Sequence, residues 1–347
     1  MYKRIGWTML LTVLAALAVA CQPPPPAGAG LKIGQVTDVG GIDDRSFNAS
    51  AWAGVQRAID DYGVEGQYLE SNAPADYQAN IQAFLDQDYD LIITVGFLLG
   101  EDTQVAAEAN RDTKFAIVDF CYDPAVPNIQ CILFNTDQAA FLAGYLAAGV
   151  TQTGKVGTFG GIPIPPVTIF MDGFLAGVRY YNQQKGTQVE VLGWDGENGL
   201  FTNNFESLDD GRTFAENLMD EGADIILPVA GPVGLGSAEA IRARGGAWLI
   251  GVDTDWFVSA PEYQDIYLTS IMKQIDNAVY AVSQAVVEGT YDASTPYFGT
   301  LANAGVGIAP FHMAEDVVPA ELKAELDQIA QGVINGTLSI DPDDYPA

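Results

Sequence analysis

The stretch from Asp38 to Asn48 (DVGGIDDRSFN) gathers more chemistry than any other segment of the chain. It follows a strand-like run, Leu31–Thr37, and precedes a helical stretch, so it is a strand-to-helix loop of the kind that carries ligands in open α/β sheets. Its glycines permit close backbone approach, and Asp44 or Ser46 can cap the helix that follows. Phe47 sets a flat apolar face beside Asp38, Ser46 and Asn48. A pocket that orients a heteroaromatic ligand needs that mixture. Taken alone, a loop with a helix cap accounts for the same residues.

Enzymatic arrangements find little support. The single histidine, His312, sits in a C-terminal segment without a catalytic partner nearby in sequence, and a structural role suits it better. No G-x-S-x-G elbow or H-E-x-x-H pair occurs. Gly231-x-x-Gly234-x-Gly236 follows a strand as a phosphate loop would, but lacks the spacing and the lysine of one. No cofactor and no set of metal ligands is read from the sequence.

The elements that must position the loop alternate regularly. Ser46–Asp61 has Trp52, Val55 and Ile59 at helical spacing. Tyr68–Ser71 is a weak strand, Asp76–Leu85 a helix, Asp90–Val95 a buried strand, Asp102–Asn110 a helix and Phe115–Asp119 a strand. The pattern then repeats. Helices at Ala139–Val150, Val167–Asn182, Gly211–Asp220 and near Gly236–Arg244 alternate with strands at Lys155–Gly160, Val189–Trp194, Asp224–Pro228 and Trp248–Asp253. Strands separated by helices of this length predict an α/β fold, with parallel sheets carrying helices on both faces. Two successive units of similar length predict two lobes.

The N-terminus reads as a secretory signal. Lys3 and Arg4 precede an apolar run ending in small residues, and Cys21 follows, as in bacterial lipoprotein signals. Ala18 stands where such signals more often carry a larger aliphatic side chain. An uncleaved anchor and an ordinary signal peptide are the alternatives. Cleavage before Cys21 would leave a lipid-bearing cysteine, and the Pro/Gly stretch Gln22–Gly30 would act as a stiff, extended tether. The chain of 347 residues has a formal net charge of −30, which becomes −32 once Lys3 and Arg4 leave with residues 1–20. Such a surface repels phosphate backbones, so nucleic acid is a poor partner, whereas a neutral or cationic small ligand fits. Cys121 and Cys131 flank a short Asp-Pro segment. An oxidising compartment would allow a disulfide between them, although spacing alone does not decide it.

The segment Thr37–Gly54 (TDVGGIDDRSFNASAWAG) closely resembles the opening signature of the basic membrane protein family, the substrate-binding lipoproteins of ABC transporters. Further matches follow in order: FAIVD (115–119), MDGFLAG (171–177), GLFTNNF (199–205) up to Asp210-Gly-Arg212, GADII (222–226), GPVGLG (231–236), GVDTD (251–255) and LTSIMK (268–273). The resemblance spans nearly all of residues 31–310. It implies a two-lobed periplasmic-binding-protein-like fold, type I in its hinge crossings. Residues 31–137 plus about 256–297 would form the N-terminal lobe, and 138–255 plus about 298–347 the C-terminal lobe. Tyr267–Ile271 and the helix Asp276–Glu288 would cross back to the first lobe.

The resemblance also implies a purine nucleoside as ligand, its base between two phenylalanines. These are Phe47 and Phe205 by position, with Phe201 a close competitor. Asp253 and Lys273 look like the holders of the ribose hydroxyls; a carboxylate accepts from a diol and an ammonium donates to it. Asp38, Asn48 and Asp119 look like polar partners of the base edge or sugar, and Gly231 offers backbone contact. Asp43 stands where relatives often carry Asn. The expected partners are an ABC permease and its ATPase, at the extracytoplasmic face of a bacterial cell membrane. A lipid-anchored sensor or adhesin on the same fold is the alternative function.

Overall fold

The computed structural model describes residues 26–345. The signal at 1–20, Cys21 and the tether up to residue 25 lie outside them. Within them, two six-stranded sheets repeat one plan. The first is built from β1 (Lys32–Val36), β2 (Glu65–Leu69), β3 (Leu91–Val95), β4 (Lys114–Val118) and β5 (Ile129–Phe134). Helices α1 (Phe47–Tyr62), α2 (Tyr77–Leu85) and α3 (Gly100–Ala109) connect them. After α4 (Thr136–Val150), the second sheet follows with β6 (Lys155–Gly160), α5 (Pro165–Lys185), β7 (Glu190–Leu192), α6 (Leu208–Asp220), β8 (Ile225–Val229), α7 (Val233–Arg244) and β9 (Trp248–Asp253). β3 and β8 are buried along their whole length. Their continuous apolar runs, LIITV and IILPV, suit strands covered on both faces by helices.

The sheet orders are β2-β1-β3-β4-β5 and β7-β6-β8-β9-β10, where β10 is Tyr267–Lys273. Each is completed by a strand from the C-terminal region. β11 (Tyr297–Gly299) adds in parallel to β5, and β12 (Val306–Ile308) adds antiparallel to β10. β10 pairs in parallel with β9, so it belongs to the second sheet. The expectation that residues 256–273 lie with the first lobe, and that Tyr267–Ile271 crosses back, is therefore corrected. The edge that β9 offers takes β10 directly, and the chain crosses only after Lys273. There α8 (Ile275–Val287) packs on α1. The chain returns between β11 and β12, and α9 (Ala320–Ile334) packs on α4.

Two local features also differ from the sequence reading. Residues 26–30 form a hydrogen-bonded turn instead of extended tether. Gly28 N–H donates to the Tyr62 carbonyl at 2.8 Å, and Leu31 N–H donates back to Gly28. Gly28 is buried against Val64 and Tyr62, which leave no room for a side chain. Residues 129–134, given no element in the sequence, form β5, and its Cys131 is disulfide-bonded to Cys121 with Cα atoms 5.2 Å apart.

The second lobe is held by backbone-close packing of α4 on α5. A Cβ on Gly144 would lie 2.1 Å from the Phe174 carbonyl oxygen, and one on Gly177 at 2.1 Å from that of Phe141. Gly177→Ala gains up to about 1 kcal/mol of helix propensity. Overpacking at a backbone atom costs about 1–3 kcal/mol, and neither backbone can yield cheaply. Net destabilisation of about 1–2 kcal/mol is expected in urea or thermal unfolding. A variant as stable as the parent would contradict this packing.

Candidate ligand-binding site

The carboxyl ends of β1, β3 and β4 face those of β6, β8, β9 and β10 across a cleft, where open α/β sheets place their ligands. The cleft encloses an empty volume of about 620 Å³, its mouth included. Asp38, Phe47, Asn48, Asp119, Phe205, Gly231, Asp253 and Lys273 all line it. Ser46 does not; it is fully buried behind the wall. Asp43 is exposed and also lies outside the cavity.

The β1–α1 loop is fixed by Asp44. Its carboxylate accepts from the backbone N–H groups of Ser46 (3.0 Å), Asn48 (2.7 Å) and Ala49 (3.0 Å). Asp44 therefore performs the capping that either Asp44 or Ser46 could have supplied, satisfying donors free at a helix start. Burial nonetheless pushes its pKa up to about 7 against those bonds. Asn48 donates from Nδ2 to Asp38 (2.8 Å) and to Asp44 (3.1 Å), leaving its Oδ1 buried without a partner. Asp38 also accepts from Gly40 N–H at 3.0 Å. Burial raises the Asp38 pKa to about 6, opposed by the bonds from Asn48 and Gly40 and reinforced by Asp253 and Asp119.

Asp119 and Asp253 occupy matching places, one just past the end of β4 and one at the last residue of β9. Both are in the left-handed region, with φ of 63° and 66°. Aspartate tolerates that region better than most residues, yet it costs free energy and is found where surroundings hold it. Lys273, at the end of β10, reaches between them. Its Nζ lies 2.6 Å from Asp119 Oδ2 and 3.4 Å from Asp253 Oδ1. Burial lowers the Lys273 pKa, but the two carboxylates outweigh it and the net shift is upward. Burial raises that of Asp119 while Lys273 opposes. The ammonium also sits 5.1 Å from the ring centroids of Phe47 and Phe170 and 5.9 Å from that of Phe134. These distances are in the cation–π range.

Of the two candidate second rings, only Phe205 reaches the cavity. It lies against Gly161, where a Cβ would approach the ring to 2.3 Å. Phe201 turns away to Gly160 and stands edge-on to Trp194, with centroids 6.0 Å apart. His312 does not line the cavity; it contacts Asp255 at 2.7 Å and stacks on Phe257. The sequence reading missed Phe97, Leu98, Ile164 and Phe170, which supply much of the apolar lining. Phe97 carried a usable signal, because it follows Gly96 at the end of β3, the strand beside β1. Phe170, inside α5, had none: an apolar residue facing a cavity reads like one facing a core.

The arrangement can bind and orient, with aromatic and aliphatic walls, acceptors at Asp38, Asn48, Asp119 and Asp253, and one ammonium. A family model described as ABC transporter substrate-binding protein PnrA-like matches residues 32–344. Basic membrane protein A of Borreliella burgdorferi is 31% identical, over 94% of this chain and 93% of its own length. An ABC transporter nucleoside-binding protein, BmpA, of Lactococcus lactis is 28% identical over 94% of this chain and 96% of its own. Among solved structures, an ABC transporter solute-binding protein of Aeropyrum pernix K1 aligns with a TM-score of 0.81 at 27% identity, covering 89% of this chain and 92% of that one. With fold, cleft and sequence in agreement, this chain belongs to the PnrA-like family of ABC transporter substrate-binding proteins, which bind solutes and are not enzymes.

Proposed function

We propose that the protein takes up a purine nucleoside between its lobes and presents it to an ABC permease. The observation that carries this reading is the pairing in one cleft of Phe47 and Phe205, one from each lobe, with the Asp119–Lys273–Asp253 group. Two rings bury both faces of a flat base, adding about 0.5–1.5 kcal/mol per aromatic pair beyond area burial. The carboxylate of Asp253 and the ammonium of Lys273 match the hydroxyls of a ribose. Asp38 and the unpartnered Asn48 Oδ1 offer acceptors to N–H groups on the base edge. The nucleoside-binding name of the Lactococcus lactis relative supports the same reading.

The charge of the cleft narrows the ligand further. Asp38, Asp44, Asp119 and Asp253 face a single ammonium, so a phosphate would enter against a surplus of negative charge. One uncompensated like-charge contact at 4 Å costs about 4 kcal/mol at an effective dielectric constant of 20. In titration calorimetry of residues 22–347, inosine, guanosine or adenosine should bind, with the 5′-monophosphates weaker by at least about a hundredfold. Phe47→Ala should weaken nucleoside binding by roughly a hundredfold through lost stacking and burial. Heat with none of the nucleosides would refute the ligand assignment.

Asp38 adds a pH dependence. Burial in the cleft pushes its pKa up to about 6, and an inosine N1–H needs the carboxylate as acceptor. Binding therefore favours the deprotonated form, so affinity is full above pH 7 and is lost as pH falls through 6. The limiting slope is about tenfold per unit. The slope should become shallower in Asp38→Asn, leaving only what Asp44 contributes, whereas a flat profile in the parent would contradict the role.

We further propose that Cys21 carries the lipid that holds the protein at the extracytoplasmic face. The full chain expressed in a bacterium should incorporate labelled palmitate and partition with membranes. Cys21→Ala should lose the label; equal labelling of both would rule out Cys21.

A further inference from the structure

Ser46 stands at the N-cap position of α1, yet its side chain makes no capping bond. The hydroxyl points the other way, across the cleft. Ser46 Oγ lies 3.1 Å from Asp253 Oδ2 and 3.2 Å from the Val252 carbonyl, both at the end of β9 in the opposite lobe. The residue is fully buried and does not line the cavity, so it is placed to touch Asp253 and not a ligand. Its backbone is held by Asp44, which accepts from Ser46 N–H. Neighbouring contacts run the same way. Arg45 pairs with Glu262, and the Thr254 hydroxyl donates to the Arg45 carbonyl at 3.3 Å.

We infer that Ser46 is a positioning residue that makes hydroxyl recognition by Asp253 conditional on closure of the lobes. The inference rests on the nucleoside reading above. Asp253 is already fixed in backbone by its positive φ, and its two carboxylate oxygens are claimed from different sides. Lys273, on the same sheet, approaches Oδ1, and Ser46, from the other lobe, donates to Oδ2. An ionised carboxylate offers about four acceptor sites, so both contacts leave room for ribose hydroxyls while setting the rotation of the group. When the lobes part, the serine donor leaves with the first lobe and Asp253 keeps only the partner on its own sheet. The acceptor that reads the diol is thus completed only in the closed form. Closure around a sugar with hydroxyls gains a contact that closure around a sugar without them does not use.

The test compares guanosine with 2′,3′-dideoxyguanosine in the parent, Ser46→Ala and Ser46→Thr, measuring affinity by calorimetry and dissociation by stopped flow. In Ser46→Ala, guanosine should bind about tenfold more weakly, mainly through faster dissociation, as expected for loss of a hydrogen bond to a charged group. The dideoxy analogue should change much less. Ser46→Thr, which keeps the hydroxyl, should restore guanosine toward the parent value. Equal weakening of both ligands, or no change in either, would overturn the inference, since Ser46 would then serve the cleft in general or not at all. A parent protein that binds no guanosine would instead overturn the nucleoside reading, and the inference with it.

Discussion

One ammonium joins the two halves of this protein. Lys273 belongs to the second sheet, yet its shortest contact is with Asp119 of the first, and Asp253 of its own sheet flanks it on the other side. All three side chains are buried. A buried charge is tolerable only when paired and hydrogen-bonded, and removing one partner from such a pair typically costs about 3–5 kcal/mol. The cleft therefore cannot be described as two independent walls. Opening the lobes separates Lys273 from Asp119 and must be compensated by water. Closing them rebuilds a charge pair whose remaining acceptor and donor capacity faces the cavity.

The repeated topology explains why these groups meet. In both lobes the strand order puts the first strand of the unit between the second and third, so the order of strands reverses there while their direction stays parallel, and the loops diverge to leave a crevice. Two such crevices face one another, and the cavity is what they enclose. Three crossings connect the lobes, at residues 134–136, 273–275 and 299–306. One of them follows directly on Lys273, so the residue that pairs across the cleft sits beside a hinge strand. Small conformational changes in such segments are the usual means of domain closure.

Much of the architecture was legible because parallel strands buried on both faces announce themselves. Lys155–Gly160 and Trp248–Asp253 were placed with the bounds they have, as apolar runs flanked by lysine, glycine or aspartate. β5 was not, since Gln130 interrupts the apolar run of a strand that is nevertheless interior to its sheet. β10 was assigned to the wrong lobe for a different reason. Which sheet edge a strand joins depends on pairing across tens of residues, and nothing within Tyr267–Lys273 encodes it. Among site residues, the loop polar groups were singled out by the motifs shared with the family, since a loop with a helix cap accounts for the same side chains. Phe170 lies outside those motifs and reads as core, and so it was missed. Ser46 stood among the polar groups of a ligand pocket in the sequence, yet its hydroxyl turns to Asp253. Its residue type suggested polar work, but the direction of the side chain is a tertiary fact.

The most direct measurement is a crystal structure of residues 22–347 grown with guanosine. The account predicts the base between Phe47 and Phe205, with the ribose hydroxyls within hydrogen-bond distance of Asp253 and Lys273 and the lobes closed. Guanosine bound elsewhere, or in the cleft with its base against neither ring, would contradict it.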